Sequence, residues 1–171
     1  MKSHLFLLFL LTIMFRLNAQ NNNCACCTDK HSEFTFWEGE WEVTLPNGNN
    51  AGTNSLKLIQ NKCVLQENWT SANAGYTGTS HSFYNVEKKR WEQVWIDNQG
   101  ASLHLKGHKK GNQMILQTDE ALNKEGDYFI NRVTWTDNKD GTVRQLWEVI
   151  TKTKKGNKTS VAFNGLYKRQ L

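Results

Sequence analysis

Arg90-Trp91-Glu92-Gln93-Val94-Trp95-Ile96-Asp97-Asn98-Gln99-Gly100-Ala101-Ser102-Leu103-His104-Leu105-Lys106 reads as a strand, a turn and a second strand. In the first run every second residue is Trp91, Gln93, Trp95 and Asp97, so in an extended chain these four share one face. Asp97-Asn98-Gln99-Gly100 is turn chemistry, and beyond it Leu103 and Leu105 alternate with Ser102, His104 and Lys106. The segment therefore folds as an antiparallel hairpin in which one face carries large aromatics beside polar groups.

The same grammar extends in both directions. Turn-forming clusters recur at Asn47-Gly48-Asn49-Asn50, Asn73-Ala74-Gly75, Lys110-Gly111-Asn112, Asp137 to Gly141 and Lys155-Gly156-Asn157. Between them lie strand-like runs near 40–45, 53–60, 63–70, 77–86, 90–97, 101–107, 112–118, 128–136, 142–151 and 159–169. That is about ten strands with short connections and no alternation of strand and helix, which argues against a parallel sheet. The expected fold is all-β, an antiparallel up-and-down β-barrel, because closure is the simplest way for so long a meander to avoid unpaired edges. A sandwich is the alternative. Only Asp119 to Lys124 leans towards helix after the N-terminal segment, with one short turn around Ser32 to Trp37.

Residues 1–19 have the form of a secretory signal: Lys2, an apolar run from Leu5 to Phe15, and Leu17-Asn18-Ala19-Gln20 as the cleavage region. The apolar run is well short of the roughly 20 residues that cross a bilayer, so no membrane span is expected. Asn21, Asn22 and Asn23 precede Cys24 where a lipid-modifying peptidase needs small and apolar residues, which argues against a lipid anchor. The expectation is an exported protein, periplasmic or extracellular, with a cysteine-containing tail at 20–32 and one barrel domain at 33–171. The formal charge of +5 is mild and falls further when Lys2 and Arg16 leave with the signal. The lysines cluster at hairpin tips such as Lys88-Lys89-Arg90 and His108-Lys109-Lys110, so no nucleic-acid partner is expected.

All four cysteines, Cys24, Cys26, Cys27 and Cys63, lie in the exported part, where disulfide bonding is the default. Cys63 stands alone at the head of a strand, so one of the other three should pin the tail to it. Cys27 is nearest the domain, making Cys27–Cys63 the expected bridge. The rival reading takes Cys24, Cys26, Cys27 and His31 as a zinc or copper set, but the spacing of paired structural ligands is missing. No metal and no cofactor are expected.

Three times an acidic or amide side chain sits two residues before a tryptophan: Glu67 and Trp69, Gln93 and Trp95, Gln145 and Trp147. An indole beside a hydrogen-bonding group suits a planar or sugar-like ligand, which needs stacking on its face and polar partners at its edge. With Tyr167 these residues form the expected binding set for a small amphipathic or aromatic ligand. A wet structural interior fits the same pattern. If the pairs face inward, their polar groups need partners, and Arg132 and Arg144 are the candidate counter-charges. An enzyme would use Glu67 as general acid or base, with Arg132 stabilising developing negative charge and His81, placed with Phe83 by parity, as a further candidate. The structural alternative pairs Glu67 with an arginine or with Gln93. A third possibility is a protein-interaction module, marked by an exposed apolar patch and a filled interior. Nucleophile elbows, phosphate-binding glycine loops and dinucleotide fingerprints are absent from the sequence.

The block Phe34-Thr35-Phe36-Trp37-Glu38-Gly39-Glu40-Trp41-Glu42-Val43 resembles the opening of a family of bacterial exported proteins of unknown function that begin Phe-x-Phe-Trp-x-Gly-x-Trp. Cys63 to Trp69, Gly78-Thr79-Ser80, Trp91 to Asp97, Arg132 to Thr136, Asp140 to Glu148 and Gly165-Leu166-Tyr167 look like that family's successive blocks, so the likeness spans residues 27–169. The Gly-x-Trp start is more loosely similar to lipocalin-like (calycin) barrels, in which the tryptophan closes the barrel floor. That likeness implies a mixed cavity and a habit of binding small molecules. A haem-binding barrel of this kind would need a histidine on a late strand, and none follows His108.

Overall fold

The computed structural model describes residues 24–154 and 156–170; the expected signal at 1–19 and the first residues of the expected tail lie outside them. Among the described residues there are eleven strands: β1 (Gly39–Thr44), β2 (Asn50–Ile59), β3 (Val64–Ser71), β4 (Thr77–Asn85), β5 (Arg90–Asp97), β6 (Ser102–Lys110), β7 (Gln113–Gln117), β8 (Ala121–Leu122), β9 (Tyr128–Asp137), β10 (Val143–Thr153) and β11 (Gly156–Arg169). Ten of them form a closed antiparallel barrel. Its order is β10-β11-β1-β2-β3-β4-β5-β6-β7-β9, and pairing of β9 with β10 completes the ring. The short β8 adds to the outside of the order by pairing with β9 alone. Closure leaves every barrel strand paired on both sides, as expected for a meander of this length.

The helical expectation for Asp119 to Lys124 is corrected, because this stretch is extended and forms the β8–β9 hairpin. Asn123 decides it locally. Its side-chain oxygen accepts from the amides of Glu125 and Asp127 at 3.0 and 2.8 Å, which closes a turn and competes with a helix. The short turn near Ser32 to Trp37 exists as a helix α1 (Asp29–Ser32) and a 3-10 turn at Thr35–Trp37.

That N-terminal segment plugs one end of the barrel. Phe34 stacks on Trp37 at 5.3 Å between centroids, and Trp135 lies 5.1 Å from each. Trp91 meets Phe34 edge-on, and Tyr167 meets Trp37 in the same way. The Trp41 indole N–H donates to the Trp37 carbonyl at 2.9 Å, tying β1 to the plug. Burying so many rings together provides most of the apolar area that this end removes from water.

The disulfide expectation is also corrected. The bridges are Cys26–Cys63 and Cys24–Cys27, not Cys27–Cys63. The Cys27 amide donates to the Cys24 carbonyl at 3.0 Å, and this turn brings those two cysteines together with their Cα atoms 5.2 Å apart. Cys26 is left to face the β2–β3 connection. There Gln60, Asn61 and Lys62 all have positive φ, a costly run for residues with a Cβ, and Cys26–Cys63 holds its end in place. With three of its four proposed ligands bridged, the alternative metal set has no thiolates to offer, and His31 instead pairs with Thr28 at 2.8 Å and packs edge-on to Tyr84.

Candidate functional site

Above the plug the barrel interior opens into a cavity of about 360 Å³. All seven residues of the expected binding set line it: Glu67, Trp69, Gln93, Trp95, Gln145, Trp147 and Tyr167. The reason is register. Glu67 pairs with Ser80 across β3–β4, Ser80 with Trp95 across β4–β5, and Gln145 with Trp135 across β9–β10, so the inward faces of these strands meet in one layer. The lining reaches exposed Asn50, Ala72 and Asn73 at the open end, where it meets solvent.

The walls are aromatic and lie flat because the opposing strands carry glycine. A Cβ on Gly78 would come within 2.2 Å of the Trp95 ring. At Gly52, with φ +145°, a Cβ would come within 2.9 Å of the Trp69 ring. The Trp147 indole N–H donates to the Asn131 side-chain oxygen at 2.8 Å, which orients that ring.

The cavity's base is a polar chain running over four strands. Glu67 is 4 % exposed and accepts from the Asn54 amide at 2.7 Å and from the Ser80 hydroxyl at 2.6 Å. The Gln93 amide donates to Ser82 at 2.9 Å and to Ser80 at 3.3 Å. On the far side the Tyr167 hydroxyl donates to the Gln145 side-chain oxygen. Burial pushes the Glu67 carboxyl up to about 7, although its bonds from Ser80 and Asn54 act in the opposite direction. Burial, and then the nearby Glu67, raise the Tyr167 hydroxyl well above its ordinary range. At the rim the Tyr76 hydroxyl donates to Asp97 at 3.2 Å, and burial followed by the Asp97 charge raises Tyr76.

Two catalytic candidates, His81 and Arg132, and the second candidate counter-charge, Arg144, fall outside this site. His81 lies on the outer face, exposed, with its ring 3.3 Å from the Gln66 amide. The inward face of β4 carries Ser80 and Ser82 instead, since small side chains leave room for the tryptophans of the neighbouring strands. Arg132 also points outward, because Val133 and Trp135 take the inward positions on β9. Arg144 is exposed, with its guanidinium bonded to Asn164 at 3.0 Å. Glu67 therefore pairs with neither an arginine nor Gln93. Val161 leaves the inward face of β11, being 59 % exposed, because the register with β10 shifts between Trp147 and Glu148 and puts Ala162 into the lining.

Asn54, Ser80, Ser82, Asn131 and Tyr76 are functional neighbours that the sequence did not single out. Their one sequence signal is parity: Ser80 and Ser82 alternate with His81 and Phe83, which leaves the choice of face undecided. Among the described residues no group of three His, Cys, Asp or Glu side chains is placed to hold a metal ion. Among the described residues no helix is long and apolar enough to cross a membrane.

Compared with known proteins, the chain matches no family model and no curated sequence.

Proposed function

We propose that this chain is an exported binding protein that takes a small amphipathic or aromatic molecule into the open end of its barrel, and that it belongs with the exported Phe-x-Phe-Trp-x-Gly-x-Trp proteins its blocks resemble. One observation carries the binding reading: three sequence-distant acid or amide and tryptophan pairs converge on a single solvent-reaching cavity of about 360 Å³, within the size range of small-molecule sites. Two disulfides fit the oxidising compartment that an exported protein meets. The test is a ligand panel read by tryptophan fluorescence and thermal unfolding. A true ligand at 100 times its Kd stabilises by about 2.7 kcal/mol, and the response should vanish in Ala162→Trp, which fills the cavity from β11. A panel without any response in the wild type counts against binding.

A second reading as an enzyme rests on Glu67 alone, whose carboxyl titrates near neutrality beside a space for substrate. It would require turnover that Glu67→Gln abolishes without unfolding the barrel. The interaction-module reading is less supported, since the interior is not filled.

A further inference from the structure

Among the described residues the cavity lining holds one group able to carry charge near neutral pH, and that group is an acid; no described lysine, arginine or histidine lines it. The elements packed on Glu67 present Asn54 and Leu56 from β2, Ser80 from β4, Gln93 from β5 and Tyr167 from β11. Of these only Tyr167 titrates, and it is neutral until strongly basic pH. The carboxyl is thus a buried acid without a cation, an arrangement that is costly when ionised.

We propose, building on the binding reading above, that the ligand is an organic cation, a primary or substituted ammonium on an aromatic or apolar body, whose charge is paired by Glu67 and whose body lies against the tryptophans. Three features carry this. The Glu67 carboxylate accepts one bond on each oxygen and keeps further lone pairs for a donor. Trp69, Tyr76, Trp95, Trp147 and Phe163 line the space with aromatic rings, whose electron-rich faces attract a cation and disfavour an anion. At the rim Asp97 is satisfied by Tyr76 and by the amides of Gln99 and Ala101 rather than by a basic side chain, so it adds a second negative charge on the way in.

Binding is then an exchange. In the empty barrel near or below neutral pH Glu67 keeps its proton; on binding, the O–H bond breaks, the proton goes to solvent, and the ammonium N–H bonds to the carboxylate. The cation and the proton compete for one oxygen pair, so affinity rises with pH until the carboxyl is ionised in the empty protein.

A matched trio tests this: 2-(1-naphthyl)ethylamine, 2-(1-naphthyl)ethanol and 1-naphthylacetate, titrated calorimetrically into the mature protein at pH 6 and pH 8 in two buffers of different ionisation heat. The amine should bind best, about 10-fold more tightly at pH 8 than at pH 6, releasing close to one proton at pH 6 and almost none at pH 8. In Glu67→Gln the amine should lose its advantage over the alcohol and its pH dependence. The wild-type proton release stands as a test even if that variant does not fold. If the alcohol or the acetate binds as well as the amine, the cation proposal falls while the binding reading survives. If none of the three binds at either pH, both fall.

Discussion

The two ends of the barrel are made from the same residue types and do opposite things. At the closed end Phe34, Trp37, Trp41 and Trp135 are packed ring against ring, each at most 1 % exposed. At the open end Trp95 and Trp147 are only partly covered and face space rather than one another. The difference comes from what lies opposite. The N-terminal segment brings Phe34 and Trp37 into the closed end as partners, whereas Gly52, Gly78 and the short serines of β4 leave the other end vacant. Aromatic content therefore says nothing about a cavity until the facing residues are known.

The sharpest way to break this contrast is truncation at the closed end. Trp37→Ala should cost about 3–5 kcal/mol, as large-to-small changes in a tight core do, measured as a fall in the urea midpoint with an unchanged slope. Removing the staple comes next. A Cys26→Ala/Cys63→Ala pair opens a bridge of sequence separation 37, worth up to about 4 kcal/mol by chain entropy. The Cys24→Ala/Cys27→Ala pair, with separation 3, should cost less than half as much, both pairs being read by thermal unfolding.

Glu67 provides the third test, through pH. Its folded value of about 7 lies above the ordinary 4.5, so between those values the native state binds more protons than the unfolded chain. Stability should be greatest with respect to this group below about 4.5, fall as pH rises towards 7 and level off above, a total loss of roughly 3 kcal/mol. Denaturant melts from pH 4 to 8 should show that slope in the wild type and lose it in Glu67→Gln; equal slopes in both would remove Glu67 as the cause. The smallest stability effect belongs to the open end. Trp95→Ala should cost about 1 kcal/mol or less, yet weaken ligand binding more than Trp37→Ala does in whatever fraction remains folded. A closed-end variant that spares stability, or an open-end one that ruins it, would dissolve the comparison.

Much of the barrel could be read from residue order. The turn clusters and the alternation located ten strands to within a few residues, and the spacing of Glu67 with Trp69, Gln93 with Trp95 and Gln145 with Trp147 placed each pair on one face. Asp119 to Lys124 was misleading because helix propensity over a few residues is weak against a side chain such as Asn123 that closes a turn. His81 and Arg132 could not be assigned to a face for another reason: their strands carry plausible inward residues on both faces, and parity alone cannot choose between them.

The sequence by itself determined the ten barrel strands and their antiparallel direction, their turns and which side chains travel together, because these depend on neighbours one or two residues away. Only the tertiary structure decided which face of β4 and β9 is inside, that Cys26 and not Cys27 reaches Cys63, and that Glu67 rests on Asn54 and Ser80 with no basic side chain beside it among the described residues. Those outcomes depend on volume and reach across strands distant in sequence, where a ring on one strand sets the size of side chain that its neighbour can hold.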